Sequence, residues 1–270
     1  MRSRERIERS RVRAAFHRTA AAYDRHAAVQ RRVIERFLDM LRAVEVRPRR
    51  MLDIGSGTGL LLARLHARYP GALAIGVDLA LGMCRRARDA RSPGPGAAFL
   101  CGDAERLPLA DAAFDLAVST SVFQWLPSLE SAFAEVFRVL EPGGLFSFTL
   151  FGGKTLFELK QSYRQALGRR DRNGQDRLLA TFSSGGVRTA LAGAGFREYL
   201  VRTEAEVEHY PDVPDLLRAL KRTGTGSTVP PAGFAERRVL LKMMEIYRAR
   251  YGREGAVPAT YEVIWAAARK

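Results

Sequence analysis

The sequence predicts an α/β protein built on a mostly parallel sheet, with an antiparallel C-terminal edge and extra helices that form a lid. Three observations lead there. Short apolar runs alternate with helix-patterned segments between residues 51 and 151. Pro/Gly clusters such as Pro70-Gly71, "SPGPG" and "EPGG" punctuate the alternation. After Gly152 the rhythm changes, and two long strand-like segments, "FREYLVRTEAEVEHY" and "TYEVIWAAAR", remain to finish the sheet.

The elements follow in order. Residues 1–18 read as a basic arm, frayed or helical, with seven arginines and two glutamates. In residues 27–46, Val29, Val33, Phe37 and Leu41 recur at helical spacing until "RPRR" breaks the helix. Residues 51–54 read as a buried strand, "LLLARLHARY" as a helix, and "LAIGVD" (73–78) as a second strand ending in an acid. A helix over 79–91, strands at 97–101 and 114–121, a helix over 128–140 and a fifth strand in "LFSFTLF" continue the pattern. Further helices are expected at 154–168, within 175–193, at 213–222 and at 234–250. The chain divides into an N-terminal basic arm with lid helices (1–46), a ligand-binding core (47–152), and a segment of lid helices that completes the sheet (153–270).

Composition narrows the chemistry. The chain has 270 residues, 47% of them hydrophobic, which suits a large buried core and excludes disorder. Two cysteines, Cys84 and Cys101, are too few for a disulfide framework. His17, His26, His66 and His209 have no paired metal spacing, so no metal is expected. No apolar run is long enough to span a membrane, and the arginine-rich start lacks a secretory apolar core; a cytoplasmic location is the expectation. The formal charge of +15 favours an acidic partner, although the same charge could be spread over a solvated surface. No basic run is interleaved with aromatics, and neither nucleic acid nor membrane is expected as a partner.

The informative stretch is "LDIGSGTG", where Gly55, Gly57 and Gly59 follow a strand and precede a helix. Glycine permits left-handed backbone angles and close approach of a ligand. In an open parallel sheet that ligand lies beyond the carboxyl ends of the strands. The pattern alone also fits a dinucleotide site or a tight turn. Asp78 ends the second strand nineteen residues after Gly59, where a carboxylate can accept both hydroxyls of a ribose; a nicotinamide cofactor would use the same chemistry. Asp103, just past the third strand, is placed to meet an adenine amine or to cap a turn.

The order "LDIGSGTG", "GVD", "CGDAERLPLADAAFD" and "RVLEPGG" resembles the class I S-adenosylmethionine-dependent methyltransferases, with their Rossmann-like sheet, over about residues 45–152. The resemblance implies that the glycine loop, with Gly55, Ser56, Gly57 and Gly59, packs against the methionine part of S-adenosylmethionine. It implies that Asp78, with Leu79, binds the ribose, and that Asp103, with Ala104, holds the adenine. Asp53 would order the loop and approach the cofactor amino group, and Ser119 would complete the cofactor contacts.

The flanks carry a narrower resemblance. "AFHRTAAAYDRHAAVQRRV", "STSVFQWLPSLESAFAEVFRVLEPGG", "LLRALKRTG" and "VPATYEVIWAAA" are similar to the malonyl-[acyl-carrier protein] O-methyltransferases, which act early in biotin precursor synthesis. That similarity runs from about residue 14 to 268. Ser56 stands where many relatives carry cysteine, and "KRTGTGS" replaces a more apolar stretch in the acyl-pocket wall. The implied reaction esterifies the free carboxylate of malonyl-acyl carrier protein. That carboxylate is already an anion at neutral pH and needs no general base, so catalysis is mainly alignment and exclusion of water.

An arginine offers a two-pronged fit to such an anion. Arg218, in "LLRALK", is the first choice, with Lys154 and Lys221 behind it. Tyr23 is expected either to close over the reaction cavity or to pack as an aromatic; Gln124 and Trp125 are expected where the acceptor enters. Arg31, Arg32, Arg169, Arg170, Arg172 and Arg177 are available to hold an acidic carrier protein. Methylation of another small carboxylic acid, or a noncatalytic carrier-binding role, are the competing readings. A nucleic-acid methyltransferase is disfavoured, because "STSVFQW" stands where a base-amine enzyme carries its Asn/Asp-Pro-Pro-Tyr/Phe signature.

Overall fold

The computed structural model describes residues 2–91, 96–168, 182–224 and 234–270. Within them, β1 (Arg50–Ile54), β2 (Leu73–Asp78), β3 (Ala97–Cys101), β4 (Phe114–Thr120), β5 (Leu140–Phe151), β6 (Glu198–Tyr210) and β7 (Val257–Arg269) form one sheet in the order β3-β2-β1-β4-β5-β7-β6. Pairing is parallel from β3 through to β5, whereas β7 runs antiparallel to both its neighbours. The reversed strand is therefore inserted one place in from the edge, and the edge strand β6 points the same way as β5. The order of the strands turns back between β1 and β4, which opens a crevice at their carboxyl ends.

Helices α3 (Ala28–Arg42), α4 (Leu60–Arg68), α7 (Phe157–Leu167), α9 (Val213–Arg222) and α10 (Phe234–Tyr251) cover one face; α6 (Glu130–Val139) and α8 (Ser184–Ala194) cover the other. The split follows the strand period of two. Along β7, Val263, Trp265 and Ala267 face the first layer, while Ile264, Ala266 and Ala268 face the second. The predicted stripe Val29, Val33, Phe37 and Leu41 on α3 is buried throughout in the first layer. In the second, Phe123, Phe133, Phe146 and Phe148 pack with ring centroids 4.5–5.9 Å apart. This cluster anchors the 3-10 turn Phe123–Trp125, whose next two side chains reach the site.

Three of the boundary shifts from the sequence expectation have a local cause. The helix expected over 128–140 stops at Val139, and "EPGG" becomes part of β5 as a register irregularity beside Phe114 and Leu116. The helix expected within 175–193 starts at Ser184, because the Ser183 hydroxyl accepts the Gly186 N–H at 3.1 Å and caps it; residues 175–181 lie outside the described residues. β7 begins at Val257 rather than Thr260, pulled into register by its pairing with Tyr210.

At the N-terminus, α1 (Arg2–Thr19) and α2 (Tyr23–His26) lie over the open end of the crevice, and α5 (Leu81–Arg91) follows β2. His17 Nδ1 accepts the Gly82 N–H at 3.0 Å and fastens α1 to the start of α5. No helix among the described residues is long and apolar enough to cross a membrane. Among the same residues, no group of three or more His, Cys, Asp or Glu is placed to hold a metal ion.

Candidate active site

β1 ends at Ile54, and the chain must turn at once to start α4. It does so through three left-handed glycines: Gly55 (φ +68°), Gly57 (φ +55°) and Gly59 (φ +77°). Two of them differ instructively. A Cβ on Gly55 would stand 2.3 Å from a Val122 methyl, so this glycine lets the chain after β4 cross the loop. A Cβ on Gly57 would meet nothing within 4 Å, because that position faces the cavity. Gly57 thus offers bare backbone to a ligand.

Asp78 secures the loop from the end of β2. Its Oδ2 accepts the Gly57 N–H at 2.9 Å, and its Oδ1 accepts the Ala80 N–H at 2.8 Å. Burial pushes its carboxyl up to about 6 against those two hydrogen bonds, which favour the anion. Each oxygen keeps lone-pair capacity for a hydroxyl donor. Asp53 lies deeper and is 1% exposed, and its Oδ2 has no hydrogen-bond partner. Burial first and the Asp78 charge second push Asp53 up to about 8. A buried carboxylate oxygen without a partner is costly. It is the natural seat for a positively charged donor such as an amino group.

A cavity opens over the glycine loop, with about 820 Å³ of space between its walls, its open mouth included. It brings together Gly55, Gly57, Asp78, Leu79, Asp103 and Ala104, and it also touches Tyr23 and Trp125. An adjoining cavity holds Asp53, Ser56 and Gly57 and shares Tyr23 and Thr120 with the first. Gly59 sits beneath, as the cap of α4.

Ser119 is placed elsewhere. Its hydroxyl donates to the Ile54 carbonyl at 2.8 Å and its side chain is buried, so it ties β4 to the end of β1. Thr120 and Ser121 reach the cavity instead. The reason is strand alternation: Ser119 points into the sheet, and Ser121 then adopts φ +58° to turn the chain over the loop.

Asp103 lines the cavity and takes the turn-capping role foreseen for it. Its Oδ1 caps its own turn by accepting the Glu105 N–H at 3.0 Å, while its Oδ2 accepts from Arg9 on α1. Arg9 also pairs with Glu105 at 2.7 Å. The sequence reading missed Arg9 together with Val12 and Phe16, the wall that α1 contributes. Only the packing of α1 against α5 shows which arginine of that basic arm meets the cavity.

A further cavity, with about 490 Å³ of empty space, adjoins the first at Trp125. Its polar groups include Gln30, Gln124, Thr155, Tyr210 and Tyr261, none of which but Gln124 the sequence reading singled out. Tyr210 and Tyr261 are hydrogen-bonded to each other, and burial raises both phenols above their usual range. Gln124 is spent on the backbone: its amide donates to the Ser121 carbonyl at 2.7 Å and its oxygen accepts the Phe151 N–H at 3.4 Å. It therefore braces the ends of β4 and β5. Tyr23 is a packed aromatic that also lines cavities. It packs edge-on to Phe16 at 6.2 Å, and it lines the two cavities around the glycine loop. Burial, with Asp78 and Asp24 nearby, keeps its phenol protonated.

Arg218 is not at this cavity. It is 55% exposed and pairs with Asp215 one turn earlier. The helix period decides this: Leu216 and Leu220 bury one face of α9, while Ala219, Leu220 and Thr223 line the cavity. Lys154 and Lys221 are exposed as well, and neither lines the cavity. No lysine or arginine occurs among the described residues lining the cavity. Of the arginines proposed for a carrier surface, Arg32 pairs with Glu208 and Arg31 donates to the Asp24 carbonyl. Arg169, Arg170, Arg172 and Arg177 lie outside the described residues.

The chain was compared with known proteins. Residues 52–148 match the family model described as "Methyltransferase domain". Among solved structures, the YcgJ protein from Bacillus subtilis superposes with a TM-score of 0.62 at 20% identity, covering 87% of this chain and 97% of that one. A SAM-dependent methyltransferase from Thermotoga maritima gives 0.56 at 19% identity, covering 95% and 99%. Both show the fold. Curated sequences are closer. The malonyl-[acyl-carrier protein] O-methyltransferase of Geobacter sulfurreducens is 51% identical over 98% of this chain and 100% of its own length. That of a Methylovorus strain is 36% identical over 98% and 90%. With a methyltransferase sheet, a carboxylate-lined crevice at its switch point and near-complete alignment to such relatives, the chain belongs to the malonyl-[acyl-carrier protein] O-methyltransferase family of S-adenosylmethionine-dependent methyltransferases.

Proposed function

We propose that this protein methylates the free carboxylate of malonyl-acyl carrier protein, using S-adenosylmethionine and leaving S-adenosylhomocysteine. The observation that carries the reading is the junction of two unlike cavities at Trp125. One is rich in carboxylates and glycine backbone; the other offers neutral donors on apolar walls.

The residues of the first cavity fit S-adenosylmethionine better than a dinucleotide. Asp53, with its unpartnered buried oxygen, would take the amino group; Asp78 would take the ribose hydroxyls; Asp103 would take the adenine amine. Asp78, and Asp53 once it gives up its proton, place negative charge behind the loop, which repels a pyrophosphate and attracts a cation. The bound cosubstrate supplies an electrophilic methyl on a sulfonium. The protein's part is to hold the acceptor in line and keep water out.

The acceptor carboxylate needs alignment rather than a base. Tyr23 stays protonated and can donate a hydrogen bond from the boundary of the cavities. Gln30 can donate from the other side, since it lines both the glycine-loop cavity and the acceptor cavity. Neutral donors orient a carboxylate without the charge neutralisation that a bidentate arginine would impose. Arg218 could take part only if α9 turned when the acceptor bound. Trp125 would form the partition past which the reactive end of the acyl group reaches the methyl.

Mass spectrometry of malonyl-, succinyl- and acetyl-carrier protein incubated with S-adenosylmethionine tests this. One added methyl on the malonyl form alone is expected. Methylation of succinyl-carrier protein at an equal rate would shift the reading to a general carboxyl methyltransferase. No product from any acceptor would reject it.

A further inference from the structure

We propose that Arg18 at the end of α1, Arg25 on α2, and Lys221 and Arg222 at the end of α9 form one docking rim for the acidic surface of the carrier protein. The proposal deepens the function above and rests on it for the partner's identity.

Three helix ends converge at the mouth of the acceptor cavity. A Cβ on Gly224, just after α9, would lie 3.3 Å from Thr19 Oγ1 and 3.4 Å from Phe16 Cδ1, so α9 ends against the α1–α2 junction. Facing inward there, His26, Leu220 and Thr223 line the cavity. Facing outward, Arg18, Arg25, Lys221 and Arg222 are all exposed.

These four differ from the cations around them. Arg32 is paired with Glu208, Arg36 with Glu204 and Glu206, and Arg218 with Asp215. The acids of α2 and of α9 with its cap are hydrogen-bonded too. Asp24 accepts from Thr58, Asp212 caps α9 by accepting the Asp215 N–H, and Asp215 holds Arg218. No ion pair within the described residues reaches the four rim cations.

A helix C-terminus favours cations by itself, and each of the three helices ends in them. The dipole explains each end singly. It does not require three such ends to gather beside one cavity with these four cations left out of any ion pair within the described residues. An acyl group tethered to a carrier must enter through that mouth while the carrier remains outside. Unpaired cations at the mouth complement an acidic carrier and raise its rate of encounter.

The test compares two substrates that differ only in the protein. Arg18→Glu, Arg25→Glu, Lys221→Glu and Arg222→Glu are combined, and kcat/KM is measured with malonyl-carrier protein and with malonyl-pantetheine. The carrier-protein value should fall about tenfold or more, the scale of electrostatic steering, while the small thioester changes less than about twofold. An unchanged carrier value, or equal losses on both substrates, overturns the proposal.

Should the fourfold variant fold poorly, the unaltered protein gives the same answer through salt. Turnover of malonyl-carrier protein should fall with ionic strength and that of malonyl-pantetheine should not; salt-independence of both overturns the rim. If neither substrate is methylated, the function fails separately. The rim is then judged by titrating malonyl-carrier protein into enzyme saturated with S-adenosylhomocysteine. Binding weakened by charge reversal upholds it; unchanged binding, or preference of the rim for anionic vesicles over the carrier, overturns it.

Discussion

The cosubstrate crevice and the acceptor cavity share Trp125 but are built in different ways. Apart from the wall that α1 supplies, the crevice draws its groups from strand ends: residues 53–59 at the end of β1, 78–79 at the end of β2 and 103–104 after β3. A parallel sheet delivers those ends to one rim, so short motifs suffice to place them. The cavity proposed for the acceptor instead collects one to three residues each from α2, α3, the turn after β4, the end of β5, the segment before α7, β6, α9 with its C-cap, and β7. No motif spans it. On the proposed function, the cosubstrate chemistry therefore sits on the rim of the sheet, and the choice of acceptor on the assembled cover.

The sharpest way to break this contrast is at Asp78. Asp78→Ala should weaken S-adenosylmethionine binding at least ~100-fold, since two charge-assisted hydrogen bonds are worth about 1.5–3 kcal/mol each. Calorimetric titration checks it. Retained affinity in a folded variant would show that the crevice does not hold the nucleoside.

Next comes the pH dependence of Asp53. A cationic amino group prefers its anion, so cosubstrate affinity should rise by up to tenfold per pH unit as pH climbs toward about 8, with proton release on binding. Stability of the free protein runs the other way. The folded carboxyl lies above its unfolded value, so its contribution is complete below about pH 4 and is lost as pH rises through about 8. Asp53→Asn should flatten both profiles, read by buffer-dependent binding enthalpy and by Tm at pH 6 and 9.

At the partition itself, Trp125→Ala should lower kcat/KM for the carrier substrate about tenfold through misalignment, while cosubstrate affinity changes less than about threefold. Parallel loss of both would make Trp125 part of the crevice alone. The smallest effect is expected at Arg218. An exposed residue in a surface ion pair contributes little, so Arg218→Ala should alter acceptor KM less than about twofold. A large rise in KM would mean that α9 turns inward when the acceptor binds, and would return Arg218 to the site.

The cosubstrate side was legible because its signals are local: glycines between a strand and a helix, and acids at the ends of the next two strands. Ser119 shows the limit, since one step along a strand separates a side chain aimed into the sheet from one aimed at the cavity. Arg218 shows it again, because an arginine in the right segment stands on the outer face of α9. Arg9, Tyr210 and Tyr261 carried no signal, as their roles depend on partners far away in the chain.

By itself the sequence determined the alternating sheet, the glycine turn with its two following acids, and membership of a methyl-transferring family. These follow from backbone preferences and from periodicity within a few residues. Which arginines remain unpaired, which face of α9 meets the cavity, and that no lysine or arginine lines the second cavity among the described residues became visible only in the folded chain. Those outcomes depend on packing between segments more than a hundred residues apart, which no local pattern encodes.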